Sequence, residues 1–283
     1  MIIIADSGST KTDWALVPRE DCPTTNPVDS NLRDVEIIQT PGINPVHQAP
    51  DAIRASLPRI EQKVSAVFFY GAGCTADRIP QMVTLLQEHF HTQQVEVCSD
   101  LLGAARALCG RNEGIACILG TGANSGLYDG ERIMQNTPAL GYILGDEGSG
   151  AVLGRRFFNA IFKRPDFAAL RDDYLASEHL TMGDIIQRVY REPMANRFLA
   201  SASLYIGTHI DNPLLQELVT DNFRDFFRCN LQPYGRRDLP VGIVGSMAHH
   251  YREQLAAAAR AEGFVLGTIL KSPIEGLITY HKK

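Results

Sequence analysis

The sequence predicts an α/β protein built from two copies of one folding unit. Residues 2–17 and 115–128 each read as an apolar strand, a turn of small residues and a second strand. After the first hairpin the predicted order is strand, helix, strand, helix, strand, helix, and the second hairpin restarts this order. A chain of 283 residues is long enough for two domains. We therefore expect two α/β lobes related by duplication.

The first half supplies one predicted copy of the unit. Its strands are predicted at 2–5, 14–17, 35–39, 64–70 and 95–98, and its helices at 49–63, 79–90 and from 101 onward. Asp77 is the expected cap of the second helix. Residues 18–31 contain three prolines and predict an exposed loop.

The second half is more helical. A long helix is expected at 148–162, a capping box at Thr181, an amphipathic helix at 214–227 and an Ala-rich helix at 250–262 that ends at Gly263. Residues 239–244 predict a strand, and Ser272 and Pro273 predict the start of a last short helix. We expect these helices to cover a second sheet.

Composition excludes several classes of function. The chain is 45% hydrophobic and 21% charged with a net charge of −5, which is typical of a globular protein without a basic surface. We therefore expect neither a nucleic acid nor a membrane as partner. The six cysteines are scattered without a C-x-x-C pair, which favours reduced thiols and a cytoplasmic location.

Two turns have the composition of phosphate-binding loops. Residues 6–12 read DSGSTKT and residues 120–125 read GTGANS. Glycine lets a phosphate approach the backbone, and successive N–H groups form an anion-binding concavity. In this interpretation Asp6 lies near Mg²⁺ or its waters, and Ser9, Thr10 and Lys11 face the phosphates. Plain hairpin turns are the alternative, and neither the Walker A nor the Rossmann pattern is present.

Three further segments could carry chemistry. Asp100 follows a strand and opens a helix, so it is either an N-terminal cap or a general base at the ligand-binding edge of a sheet. Asp146 lies among four glycines in residues 141–150, which form either a flexible loop or a binding segment for a small polar ligand. Gly245 and Ser246 form either a tight strand-to-helix turn or a place where a flat ring or ribose meets the backbone.

These turns, in this order, resemble the sugar kinase/Hsp70/actin superfamily, and more closely its N-acetylglucosamine kinase branch in the BadF/BadG ATPase group. The GDEGS run at 145–149 is the most specific part of the resemblance. It implies an α/β fold of two ribonuclease H-like (actin/hexokinase-type) lobes, each a mixed five-stranded sheet with helices on both faces. The expected lobes are 1–108 with 270–283, and 109–269, with the last helix returning to the helix of Asp100.

The resemblance also implies roles for individual residues, with ATP and Mg²⁺ as cofactors and an amino sugar as substrate. Asp100 is the expected base for the 6-hydroxyl of N-acetylglucosamine, and Asp6 the expected contact to Mg²⁺ through water. The expected phosphate ligands are Gly8, Ser9, Thr10, Lys11, Thr121 and Gly122. Gly245 and Ser246 border the adenosine, and Asn44, Asn124, Gly141 and Asp146 bind the sugar together with Asp100.

Two departures and two rival functions qualify this expectation. Leu140 stands where animal enzymes carry a Trp beside the sugar, and Ala123 replaces a substrate-binding Ser. One rival is the ATP-driven activator of a 2-hydroxyacyl-CoA dehydratase, for which Cys109 and Cys117 are the nearest candidate cluster ligands, although their spacing is not that of a cluster site. The other is a non-catalytic ATP-binding regulator. An apolar face of the second lobe could support a homodimer.

Overall fold

The structure, a computed structural model, describes residues 1–8, 10–18 and 35–282. The chain forms two compact units. One comprises residues 1–110 together with 273–283, and the other comprises residues 111–272. The interpretation of these units as a nucleotide-binding lobe and a second lobe, with the boundaries expected above, stays a prediction.

The first unit is a five-stranded mixed sheet with helices. Its strands are β1 (Ile2–Ser7), β2 (Lys11–Val17), β3 (Glu36–Pro41), β4 (Ala66–Gly71) and β5 (Val95–Ser99). Its helices are α1 (Pro50–Ser56), α2 (Ile79–Phe90), α3 (Asp100–Cys109) and the final helix α12 (Ile274–Lys282). The spatial order is β3-β2-β1-β4-β5, with the hairpin strands antiparallel and β1, β4 and β5 parallel.

The second unit has a sheet of the same kind and more helices. Its strands are β6 (Gly114–Leu119), β7 (Ala123–Tyr128), β8 (Ile133–Gln135), β9 (Val241–Val244) and β10 (Leu266–Leu270). Its helices are α4 (Gly141–Leu144), α5 (Gly150–Lys163), α6 (Ala168–Ser177), α7 (Met182–Tyr190), α8 (Ala195–Thr208), α9 (Pro213–Phe226), α10 (Ser246–His250) and α11 (Arg252–Glu262). Short turns of 3₁₀ or π-helix occupy Pro165–Phe167, Phe227–Leu231 and Gln232–Tyr234.

The two sheets have the same topology, which confirms the predicted duplication. The second sheet runs β10-β9-β6-β7-β8, so each of its strands occupies the place of one strand in the first sheet. In both, an antiparallel hairpin and its third strand lie on one side, and two parallel strands lie on the other. This is the actin/hexokinase-type arrangement, with the two glycine-containing hairpins at equivalent positions.

Alternate residues of the first sheet build two separate cores. Ile3, Trp14 and Phe69 pack with the apolar faces of α1 and α2, whereas Ile4 and Tyr70 pack with α12. Side chains of a strand alternate between the two faces of its sheet, so each face needs its own helical cover. The sheet is therefore covered on both faces, as expected for this fold class.

The final helix is tied to α3 by close packing and by a polar cluster. A Cβ atom on Gly276 would lie 2.5 Å from the carbonyl oxygen of Ala107, so only glycine allows this approach. Arg106 Nη1 donates to Glu96 Oε1 at 2.6 Å and to Tyr70 Oη at 2.7 Å. His281 Nε2 lies 2.8 Å from the same Tyr70 hydroxyl. The first residue of α3 is Asp100, so this cluster helps to hold the helix that carries it.

Several details differ from the sequence predictions. Helix α1 ends at Ser56 instead of 63, because Leu57 precedes Pro58 and that position disfavours helical backbone. Asp77 does not cap α2, since its carboxylate accepts from the Thr75 hydroxyl instead. The predicted loop at 18–31 lies, beyond residue 18, outside the described residues. None of the described helices is long and apolar enough to cross a membrane.

Candidate functional site

The turn of the first hairpin is anchored to the loop that follows β3. Gly8 N–H donates to the Lys11 carbonyl at 3.0 Å, which closes the turn, and Gly42 N–H donates to the Thr10 carbonyl at 3.1 Å. The buried Ser7 Oγ accepts from Ile43 N–H at 2.9 Å. The turn therefore has a fixed position at the carboxyl end of β1. Ser9 lies outside the described residues, so its predicted phosphate contact stays a prediction.

Asn44 lies where the loop after β3 meets the turn after β4. Its Oδ1 accepts from Val46 N–H at 3.0 Å, and its own N–H donates to Gln48 Oε1 at 2.8 Å. A Cβ atom on Gly73 would lie 2.2 Å from Asn44 Oδ1, so the glycine makes room for the amide. Asn44, which is predicted to bind the sugar, therefore has a constrained side-chain amide at the carboxyl edge of the first sheet.

Three carboxylates crowd the same edge. Asp6 and Asp13 are directly opposite each other across the hairpin. Lys11 Nζ lies 2.9 Å from Asp13 Oδ2, and Gln39 Nε2 donates to Asp13 Oδ1 at 2.7 Å, so Asp13 has partners of its own in the sheet. Burial, with the nearby charges of Asp100 and Asp13, raises the pKa of Asp6 to about 7. A nearby cation would therefore favour the ionised form of Asp6.

Asp100 occupies the first turn of α3, directly after β5. The cap is Ser99, whose Oγ accepts from Leu102 N–H at 3.2 Å, so Asp100 is not needed as the capping residue. Its Oδ1 accepts from Leu101 N–H at 2.8 Å. Burial raises its pKa above the usual range for an aspartate. A carboxylate with one oxygen fixed by the backbone and a raised pKa has the properties of a general base.

The second hairpin is joined to the start of α5. The carbonyls of Gly120 and Thr121 accept from the N–H groups of Gly150 and Ala151 at 2.8 and 3.1 Å. Gly120 N–H donates to the Gly122 carbonyl at 3.0 Å, which closes the turn. Two of the N-terminal N–H groups of α5, which lack partners inside the helix, are thereby satisfied by the turn. Thr121 and Gly122 are fixed at the carboxyl end of β6.

Asp146 is held against this hairpin. It has a left-handed backbone with φ +56°, and its N–H donates to the Ala139 carbonyl at 2.9 Å. Its Oδ2 lies 3.1 Å from the place of a Cβ atom on Gly122, so any side chain there would crowd the carboxylate. Burial, together with the charge of Glu147, raises the pKa of Asp146 to about 6, and a hydrogen bond from Ala123 N–H opposes this.

The remaining predicted contacts in the second unit differ in how tightly they are held. Position 245 requires glycine, because its backbone has φ +130° and a Cβ atom there would lie 2.2 Å from the Leu119 carbonyl oxygen. Ser246 follows it as the exposed first residue of α10. Gly141 has φ +73° and open space around its Cα, next to the exposed Leu140. Asn124 lies on β7, where Asn136 contacts it.

The sequence interpretation missed the π-helical turn Phe227–Leu231 and its partners. Asn230 Nδ2 donates to Glu147 Oε2 at 3.2 Å, and its carbonyl accepts from Thr137 Oγ1 at 2.8 Å. Tyr234 Oη lies 2.7 Å from Ser125 Oγ and accepts from Thr137 N–H at 3.0 Å. Irregular π turns often occur at functional sites, but no sequence signal marks this one. It connects the segments that carry Asn124 and Asp146.

Both sheets therefore carry a glycine-containing hairpin at equivalent positions, and each unit holds an acid with a raised pKa, Asp6 in the first and Asp146 in the second. This fold is that of the sugar kinases and actin-like ATPases. A scan against protein-family models finds no match, and a search of curated proteins finds no relative.

Solved structures identify the family. A protein of Porphyromonas gingivalis named "Putative N-acetylglucosamine Kinase" is 46% identical, with 99% of this chain and 98% of that chain covered and a TM-score of 0.89. The chain belongs to this N-acetylglucosamine kinase family. A protein of the same name from Chromobacterium violaceum (16% identical, 99% and 98% covered, TM-score 0.65) and a ROK hexokinase of Thermus thermophilus (15%, 99% and 96%, 0.52) share the fold.

Proposed function

We propose that this member of the sugar kinase class transfers the γ-phosphoryl group of ATP to an amino sugar, converting N-acetylglucosamine to its 6-phosphate. The observation that carries the proposal is Asp100, a half-buried carboxylate at the carboxyl end of β5 with one oxygen fixed by Leu101 N–H. The 46% identical relative, which carries the name of this kinase, supports the substrate.

The two hairpins are the proposed phosphate-binding elements. Gly8, Ser9, Thr10 and Lys11 from the first unit, and Thr121 and Gly122 from the second, would supply backbone N–H groups, hydroxyls and one ammonium group. Lys11 Nζ is held by Asp13 at 2.9 Å, so the ion pair would orient the lysine. Gly245 and Ser246 would border the adenosine, because the glycine keeps the backbone free of a side chain there.

Asp6 is the proposed contact to Mg²⁺, through water. Its pKa is raised because burial, and then the charges of two further carboxylates, disfavour its ionised form, and a divalent cation would offset that cost. Among the described residues no group of three His, Cys, Asp or Glu side chains could hold a metal alone. This fits Mg²⁺, which typically binds one or two carboxylates plus substrate phosphates and waters. When bound, the ion would neutralise charge that develops on the phosphates.

The proposed reaction needs one proton acceptor from the chain. The 6-hydroxyl oxygen of the sugar forms a bond to the γ-phosphorus while the bond to the β-phosphate oxygen breaks and ADP leaves. The hydroxyl proton moves to Asp100, at the carboxylate oxygen that Leu101 N–H does not occupy. Asn44, Asn124, Gly141 and Asp146 would hold the sugar so that this hydroxyl is in line.

The first test is ADP release with Mg-ATP against N-acetylglucosamine, N-acetylmannosamine, N-acetylmuramic acid, glucosamine and glucose. We expect N-acetylglucosamine to give the highest kcat/KM and a product phosphorylated at the 6-oxygen. Tight ATP binding without turnover on any sugar would contradict the proposal and favour a regulator. An oxygen-sensitive iron chromophore would instead favour the dehydratase activator, although its candidate ligand Cys117 is fully buried in the core of the second unit.

A further inference from the structure

We propose that Asn136 is a positioning residue that fixes the amide of Asn124, so that Asn124 presents only hydrogen-bond donors to the substrate. The inference rests on the proposed function and deepens it, because it states which chemistry the substrate must offer at this point. It also gives a role to a residue that the sequence pattern does not single out.

The orientation of the Asn136 amide follows from two backbone carbonyls. Its Nδ2 lies 2.6 Å from the Ser125 carbonyl oxygen and 3.2 Å from the Thr137 carbonyl oxygen. A backbone carbonyl can only accept, so the Asn136 atom that faces both must be the NH₂ group. The third neighbour of this NH₂ group, at 2.9 Å, is Asn124 Oδ1.

The orientation of the Asn124 amide is then fixed by two donors. Besides Asn136 Nδ2, the backbone N–H of Ser125 donates to Asn124 Oδ1 at 2.9 Å. A flip of the amide would place an NH₂ group against two donors and lose both hydrogen bonds. Asn124 Nδ2 therefore points away from this pair. Within the described part of the chain, no acceptor contacts it.

Asn136 is exposed, but the segment that carries it is anchored on its other side. Thr137 N–H donates to Tyr234 Oη at 3.0 Å, and Thr137 Oγ1 donates to the Asn230 carbonyl at 2.8 Å. Tyr234 and Asn230 belong to the irregular turns after α9. This anchoring holds the backbone of residue 136 in place, so its side chain can act on Asn124 without being buried.

The substrate atom that faces Asn124 must then be an acceptor. A hydroxyl oxygen or an acetamido carbonyl oxygen fits, whereas a protonated amino group does not. Asp146 offers the opposite chemistry, because its carboxylate only accepts. A donor at Asn124 therefore suits an acceptor atom of the sugar and disfavours a protonated amino group at that position, whereas Asp146 can accept from a sugar hydroxyl.

The test is a double-mutant cycle on sugar KM with Asn136→Asp, Asn124→Ala and the double variant. The carboxylate introduced by Asn136→Asp cannot donate and repels Asn124 Oδ1, so we expect KM to rise by about tenfold while kcat stays within about twofold. In the Asn124→Ala background, Asn136→Asp should change KM no further, because its effect passes through Asn124. Asn159→Asp, the same chemical change at an exposed position of α5, is the matched control.

The outcomes separate the two proposals. If Asn136→Asp raises KM for N-acetylglucosamine but not for glucose, the acetamido carbonyl is the acceptor that faces Asn124. If it raises KM equally for both sugars, a hydroxyl is the acceptor. Additive effects in the cycle would overturn the role of Asn136. If the wild-type protein phosphorylates no sugar, the proposed function fails, and side-chain amide hydrogen exchange still decides the orientation. Faster exchange of the Asn124 NH₂ group than of the hydrogen-bonded Asn136 NH₂ group supports the proposed orientation, and the reverse order overturns it.

Discussion

At the scale of single residues, the candidate site acids of the two units lie in different surroundings. Asp100 and Asp6 lie at one sheet edge and carry raised pKa values mainly because they are buried. Asp146 has a strained left-handed backbone and is held against the glycine of a hairpin. Such unfavourable positions cost stability, and they persist in proteins where function requires them.

Replacing Asp100 tests the base directly. Asp100→Asn should lower kcat by about 10²–10⁴-fold, because the amide cannot accept the hydroxyl proton. Nucleotide affinity, measured by calorimetric titration, should stay unchanged. Asp51→Asn is the matched control, since Asp51 is an exposed acid in the first turn of α1. Turnover close to wild type in Asp100→Asn would contradict the assignment.

Replacing Asp6 should stabilise the fold while it weakens activity. The folded-state pKa of about 7 exceeds the ordinary value of 3.8. Between these values the folded state keeps a proton that the unfolded state has released, so stability falls as pH rises through this window. The full cost, about 4 kcal/mol at most, is present above the folded-state pKa.

Asp6→Asn removes this cost. We expect its Tm to exceed that of the wild type clearly at about pH 8, and by little at about pH 4. Differential scanning calorimetry without nucleotide measures both values. An equal gain at both pH values would show that the gain does not come from ionisation of Asp6.

At the scale of elements, the sequence predicts the two hairpins and several helices, but it misses the 14-residue helix α8 and the short edge strands. The hairpins at 2–17 and 115–128 combine apolar strands with glycine turns, which are strong local signals. Strands β8 and β10 have weak signals, because they are short, exposed in part and irregular in register. The sequence alone therefore does not locate the third strand of the second copy.

The same contrast applies to the candidate site. Asp6, Asp100 and Asp146 could be found because each follows a strand or lies among glycines, which are local patterns. Asn136 and Asn230 have no such pattern. Asn136 contacts Asn124, 12 residues earlier, and its neighbour Thr137 donates to the Asn230 carbonyl, 93 residues further along the chain. A single sequence shows no such pairing.

The crossing of α12 and α3 can be tested with a pair of glycine substitutions. In Gly276→Ala the new Cβ atom would lie 2.5 Å from the Ala107 carbonyl oxygen, so the helices must separate. We expect a loss of about 1–3 kcal/mol. Gly183→Ala in α7 meets only ordinary contacts and should gain up to about 1 kcal/mol from helix propensity. Thermal unfolding of both variants measures the difference, and equal effects would argue against a tight crossing.

At the scale of the whole molecule, family membership and duplicated topology support the same class of function. The 46% identical relative covers 99% of this chain, so the similarity extends through both units. Both sheets present a hairpin of the same kind at the same position. The 46% identical relative carries the name of an N-acetylglucosamine kinase, which supports the substrate that we propose.

Removal of divalent cations gives a test at this scale. With excess EDTA, sugar phosphorylation should fall to background, and added MgCl₂ should restore it. We expect this because the proposed Mg²⁺ would reduce the repulsion between Asp6 and the phosphates.

Mg-ATP at about 100 times its Kd should add about 2.7 kcal/mol to the free energy of unfolding. Turnover that persists in EDTA would contradict the proposed role of Mg²⁺.

The last helix of the chain belongs to the first unit, and this has a consequence for synthesis on the ribosome. Residues 1–110 emerge early, but the sheet face formed by Ile4, Ala15 and Tyr70 receives its cover only when 273–283 have been made. Until then the nascent first unit exposes apolar surface of the kind that chaperones recognise. Pausing or truncation before residue 273 should therefore yield a folded second unit beside an aggregating first one.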